Sequence, residues 1–146
     1  MLVVDAISGE EFFRLCPGSK TEDVSTYLAE FCLDCVELGY DQLCIILDNN
    51  PTHKQKMQSQ LTLHLKQMGL TKSIMVEYLY LPPYSPKLNL VEYVIHLVRL
   101  RFLHHLAIGT TLTQIEEQLV AFFESNQFLS AQQVKNTLNY IFSLPT

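Results

Sequence analysis

Long apolar runs are missing from this chain: none approaches the roughly 18 residues that a membrane-spanning helix needs. The N-terminus also lacks the basic region and apolar core of a secretion signal. Both absences predict a cytoplasmic protein with no membrane partner. Cysteine is sparse, with four residues, and without a secretion signal these are expected as reduced thiols rather than a disulfide framework. Cys32 and Cys35 form a C-x-x-C, but it lies inside a helical pattern and no second Cys or His pair stands at zinc spacing, so both are expected on a buried helix face. A basic excess is missing too. The formal net charge of −5 excludes a generic nucleic-acid-coating protein. No internal repeat, low-complexity tract or linker interrupts the 146 residues, and a hydrophobic fraction of 48% is enough for one domain with a sizeable core.

What charge there is falls unevenly. Met1 to Asp41 carry nine acids and two bases, net −7, whereas Gln42 to Thr146 carry six acids and eight bases, net +2. Five of the ten Lys and Arg, namely Lys54, Lys56, Lys87, Arg99 and Arg101, stand near two motif blocks in that second part.

The pattern of apolar residues predicts an opening hairpin of Leu2-Val3-Val4 and Glu11 to Leu15 about Ser8-Gly9, with Asp5 at the strand end or turn. Val24, Leu28, Phe31, Cys32, Cys35 and Leu38 recur at helical spacing from Thr21 to Leu38, and Gly39 is placed to end that helix. A buried strand at Leu43–Leu47 follows, then a helix from about Lys54 to Met68 with Met57, Leu61, Leu65 and Met68 on one side. Ile74 to Leu81 reads as another strand, stopped by Pro82 and Pro83 because proline cannot donate to a sheet ladder. Helices are predicted at about Leu90–Leu106, Leu112–Phe123 and Ala131–Phe142, with Thr110 or Thr111 and Ser130 as N-caps. Tyr78, Tyr80, Phe122 and Phe123 are expected in the core rather than as base-stacking platforms. Strands alternating with helices after a hairpin imply an α/β fold, a mixed sheet flanked by helices.

The chemistry concentrates at the ends of Leu47–Glu92. Asp48 follows the Leu43–Leu47 strand, and Glu92 opens the Leu90 helix. Open α/β sheets bind ligands beyond the carboxyl ends of their strands. Magnesium and manganese take oxygen ligands, and phosphoryl transfer with two metals needs carboxylates holding the ions about 3.5–4 Å apart. On the second helix, Glu92, His96 and Arg99 share one face, which for His96 and Arg99 alone reads best as a solvated face.

The blocks Asp48-Asn49-Asn50-Pro51-Thr52-His53 and Pro82-Pro83-Tyr84-Ser85-Pro86-Lys87-Leu88-Asn89-Leu90-Val91-Glu92, in this order and context, resemble the catalytic core of DDE transposases of the mariner-like superfamily, in particular its bacterial insertion-sequence branch. The resemblance extends more loosely over nearly the whole chain. It implies a ribonuclease-H-like fold with extra C-terminal helices, and DNA strand cleavage and transfer by three carboxylates and two Mg2+ or Mn2+ ions. Carried over by position, Asp48 matches the second catalytic and metal-binding carboxylate and Glu92 the third. His53 matches the histidine that closes the first block and is expected either to touch the DNA backbone or to brace the loop; Lys54, Lys87 and Arg99 are the other residues expected to face the DNA. The Pro82–Pro86 segment matches the stiff loop that delivers the third acid.

The departures shape the expected activity. The family's first catalytic Asp lies on a strand ahead of the hairpin, and this chain opens at or after that point. Asp5 reads as a turn aspartate, only 42 residues before Asp48; the other reading makes it a substitute ligand. No helix-turn-helix segment precedes the core, Leu90 stands for the usual proline, and Ile95 stands for the usual tryptophan. The expectation is therefore a partial catalytic domain spanning residues 1–146, N-terminally truncated, with metal binding weak or lost and little activity alone. Loss of a central strand would leave open sheet edges, which favours a homodimer. The competing expectation is a non-catalytic interaction or regulatory protein derived from a transposase, which suits the acidic first part.

Overall fold

Asp5 shapes the first turn. Its Oδ1 accepts the backbone N–H groups of Ile7 at 2.7 Å and Ser8 at 2.6 Å, an Asx-type turn that joins β1 (Leu2–Val4) to β2 (Glu11–Phe13). The strands pair antiparallel with Leu2 opposite Phe13 and Val4 opposite Glu11. Gly9 has φ +80° and lies so close to the Leu129 carbonyl oxygen that a Cβ would stand 2.3 Å from it, so only glycine satisfies both demands.

The computed structural model describes residues 1–125 and 128–143, which group into two compact units. One holds Met1 and Cys16–Ser85; the other holds Leu2–Leu15 and the described residues from Pro86 onward.

In the first unit, α1 (Thr21–Glu37) buries Val24, Leu28, Phe31, Cys32 and Cys35 as its spacing predicts, and Tyr27 as well. Burial first, and the adjacent Cys35 thiol second, push the Cys32 thiol up to about 12, which keeps it protonated and unreactive. Helix α1 ends in a Schellman turn, with Tyr40 N–H donating to Cys35 C=O at 2.9 Å around Gly39 at φ +90°. β3 (Gln42–Leu47), α2 (Gln55–Gln67) and β4 (Met75–Tyr80) form a β-α-β unit whose strands pair in parallel, Leu47 opposite Tyr80. α2 places Met57 and Leu61 wholly out of solvent and packs on α1. Met68 and Leu38, expected on the apolar faces, are exposed instead, because each is the C-cap residue where its helix ends and packing partners run out.

Strand β3 is not the buried strand its composition suggests. Of its residues only Ile45 is buried, while Ile46 is 47% exposed and Leu79 beside it on β4 is 54% exposed. The inner face of this ladder carries Leu43, Ile45 and Leu47 with Val76, Tyr78 and Tyr80; the outer face is uncovered among the described residues. The expected mixed sheet is likewise divided: the hairpin and the parallel pair are two separate two-stranded sheets, because no strand among the described residues bridges their backbone donors and acceptors.

In the second unit, α3 (Leu90–Arg101) turns Leu90, Val94 and Val98 inward at i, i+4 and i+8, and Phe102 follows them. A short 3-10 turn, Leu103–His105, takes the place of the expected last helical turn. α4 (Leu112–Ser125) and α5 (Ala131–Ser143) open with Thr111 and Ser130 as expected: each shares reciprocal hydrogen bonds with the glutamine three residues on, Gln114 and Gln133. Phe122 and Phe123 are core residues. Phe123 stacks on Phe13 at 4.2 Å, and Phe122 packs against Phe102 and Phe128.

Glu11 on β2 fastens the segment ahead of α5. Its carboxylate accepts the N–H groups of Phe128 at 2.9 Å and Leu129 at 3.3 Å. Burial raises the Glu11 pKa and these hydrogen bonds oppose the rise, with burial prevailing. The folded state thus holds the proton more tightly than the unfolded chain, so this group's contribution is full below the ordinary carboxylate pKa and declines as pH rises through the raised value. Urea unfolding of Glu11→Ala is expected to show a loss of about 1–3 kcal/mol, because two amide donors lose their acceptor. Glu11→Gln is expected to lose less and to remove that decline with pH. Leu61→Ala, at a fully buried contact of α2, is expected to cost about 2–5 kcal/mol.

Candidate active site

The end of β3 is built by short polar side chains. Asp48 leaves the strand with its side chain half exposed, and its Oδ1 accepts the Asn50 backbone N–H at 3.0 Å and meets His53 Nδ1 at 2.6 Å. Its Oδ2 has no hydrogen bond among the described residues. Asn50 repeats the device one step on: its Oδ1 accepts both the N–H and the hydroxyl of Thr52, at 3.0 and 2.8 Å, and so caps the 3-10 turn Pro51–His53. Pro51 suits the start of that turn, where its missing N–H costs nothing.

β4 holds this loop from beside it. Leu81 N–H donates to Leu47 C=O at 2.8 Å, and Asn49 Nδ2 donates to Leu81 C=O. Lys54 Nζ donates to Asn49 Oδ1 and lies 4.9 Å above the Tyr80 ring. The Tyr80 hydroxyl donates to the His53 carbonyl and accepts from Gln58 Nε2 at 2.9 Å. Tyr80 therefore does more than fill core. Its polar role, and that of Gln58, is not visible in the alternation of β4. The one sequence clue is a tyrosine on the inner face at a strand end, where a buried ring needs a partner for its hydroxyl.

The second block begins in the first unit and ends in the second, for the boundary falls between Ser85 and Pro86. Tyr84 is fully exposed at φ 57°, a left-handed conformation uncommon for a bulky side chain. Pro86–Leu88 forms a 3-10 turn, and Asn89 caps α3 by accepting the Val91 N–H at 3.1 Å. Glu92 thus stands in the first helical turn, where the helix dipole favours a carboxylate. It is exposed, as are His96 and Arg99 on the same face, and its carboxylate has no hydrogen bond or ion pair among the described residues. Lys87 is exposed, and its carbonyl accepts the Tyr93 hydroxyl at 3.4 Å.

As oxygen donors, Asp48 and Glu92 fit a hard divalent cation. Among the described residues no group of three His, Cys, Asp or Glu could hold a metal ion. Asp5 shapes its hairpin turn through Oδ1.

The sequence model of the DDE superfamily endonuclease family matches residues 1–112, which include the hairpin, both motif blocks and all of α3. The chain belongs to this family. No curated protein and no solved structure matches it. Membership in the DDE endonucleases points to a transposase-type function on DNA, and domains of this family generally use divalent metals. No helix of the described residues is long and apolar enough to cross a membrane. Helices α4 and α5 lie almost wholly beyond the matched span.

Because Asn89 supplies the only side-chain cap of the helix carrying Glu92 among the described residues, Asn89→Ala is expected to cost about 1 kcal/mol in urea unfolding. Asn89→Asp, which keeps the acceptor, is expected to lose much less.

Proposed function

We propose that this chain is the catalytic part of a transposase of the mariner-like, insertion-sequence branch, a ribonuclease-H-like domain spanning residues 1–146 that acts in DNA strand cleavage and transfer. The observation that best supports it is Asp48 at the carboxyl end of a parallel strand, one carboxylate oxygen pinned by His53 and Asn50 and the other free of hydrogen bonds among the described residues. In this reading Asp48 and Glu92 are the second and third acids and hold Mg2+ or Mn2+. When bound, such ions activate water or a 3′ hydroxyl for attack on a phosphodiester and stabilise the leaving oxygen. His53, Lys54, Lys87 and Arg99 face the DNA backbone. Phosphate contacts of this kind position DNA without reading its sequence.

With Asp5 read as a turn aspartate rather than a ligand, residues 1–146 supply two of the three acids and are expected to bind metal weakly and to nick DNA poorly or not at all. Titration calorimetry with manganese on folded wild type, Asp48→Ala and Glu92→Ala checks this: weak binding by the wild type, lost in both variants, is the expected result. Absence of binding by the wild type would overturn the metal assignment. Robust metal-dependent nicking by the wild type, abolished in Asp48→Ala, would show a complete enzyme instead.

One observation favours a second reading, a non-catalytic protein that associates with a second copy or with an intact relative. The outer face of the β3–β4 ladder exposes Ile46, Met75 and Leu79 beside strand edges that are unpaired among the described residues. Co-purification with a full-length relative would favour this second reading, and failure to associate at micromolar concentration would remove its main support.

A further inference from the structure

Three hydrogen bonds in the first unit run in series toward Asp48. Gln58 of α2 donates to the Tyr80 hydroxyl at 2.9 Å, the Tyr80 hydroxyl donates to the His53 carbonyl, and His53 Nδ1 meets Asp48 Oδ1 at 2.6 Å. Tyr80 is the last residue of β4 and pairs with Leu47, the residue before Asp48, so the strand that aligns Asp48 also carries the hydroxyl that reaches the far end of its loop. We propose that Tyr80 is a positioning residue for Asp48: through His53 it fixes which carboxylate oxygen is engaged and which is presented.

A half-exposed aspartate has two equivalent oxygens and free rotation about its terminal bond, and ordering it has an entropic cost. The backbone N–H of Asn50 alone holds Oδ1 at 3.0 Å; the imidazole adds a second, shorter contact to the same oxygen, leaving Oδ2 open. The imidazole can do this only while the 3-10 turn keeps His53 in place. Tyr80 donates to the carbonyl at the last residue of that turn, and Gln58 orients the hydroxyl from the first turns of α2. The bonds Gln58 to Tyr80 and Tyr80 to His53 are part-buried, which shields them from exchange with water. Side chains that orient a metal-binding carboxylate from behind commonly change affinity tenfold or more when removed.

The inference rests on Asp48 being a metal ligand, and the experiment separates the two. Tyr80→Phe keeps the ring and the Lys54 contact and removes only the hydroxyl. Two readouts are taken on the folded full chain: the tautomer of His53 by 15N NMR at a pH where the imidazole is neutral, and manganese affinity by calorimetry. Wild type is expected to hold the proton on Nδ1, facing Asp48. Tyr80→Phe is expected to shift His53 toward the Nε2–H form and to weaken manganese binding by about tenfold. Gln58→Leu should move both readouts the same way by less, and it carries the test if Tyr80→Phe does not fold. An unchanged tautomer and unchanged affinity in folded Tyr80→Phe, with binding lost in Asp48→Ala, would overturn the positioning role and leave Asp48 as a ligand. A tautomer shift in Tyr80→Phe with no manganese binding by the wild type would support the positioning role and overturn the metal assignment.

Discussion

Parallel pairing of β3 with β4 ends both strands at the same edge, Leu47 beside Tyr80, and everything around Asp48 depends on that register. A slip of one residue would turn every inner side chain outward and take the Tyr80 hydroxyl away from the loop. Two strands alone make a marginal sheet. Here the register is held by burial on one side only, where Ile45 and the tyrosines of β4 face the helices and the α1–α2 contact excludes water around Met57, Leu61 and Cys32. The outer side contributes little, as its exposed Ile46, Met75 and Leu79 attest.

On that frame the Asp48 loop is organised by local polar contacts. Asp48, Asn50 and Thr52 each bond backbone or side chain two residues away, so the loop is specified by residues within itself; Asn49, Lys54 and Tyr80 then tie it to β4. The second unit handles its acid differently. Glu92 owes its position to a capped helix whose opposite face is buried through Leu90, Val94 and Val98, and its own side chain stays in solvent. One acid is thus oriented by hydrogen bonds and the other by helix phase.

The span matched by the family runs from Met1 through both carboxylates to the start of α4. The acidic opening segment fits this arrangement. Asp5 and Glu11 serve the hairpin and the segment ahead of α5 as acceptors of backbone N–H groups.

The order and type of the elements were legible from residue periodicity and from Gly39, Pro82, Pro83 and the caps at Thr111 and Ser130, because helix faces, turn residues and caps act over a few residues of chain. Asp5 as a turn aspartate and Cys32 as a buried thiol were legible for the same reason. Exposure of β3 was not, since an apolar run looks the same whether a sheet is covered on one face or two. Nor was the division into two ladders, because strand partners are chosen by long-range backbone pairing that no local pattern encodes. By itself the sequence determined the elements, the motif residues at Asp48 to His53 and the family. Only tertiary structure decided that the hydroxyl of Tyr80, 32 residues beyond Asp48, closes on that loop, because the contact exists only once two distant strands lie side by side.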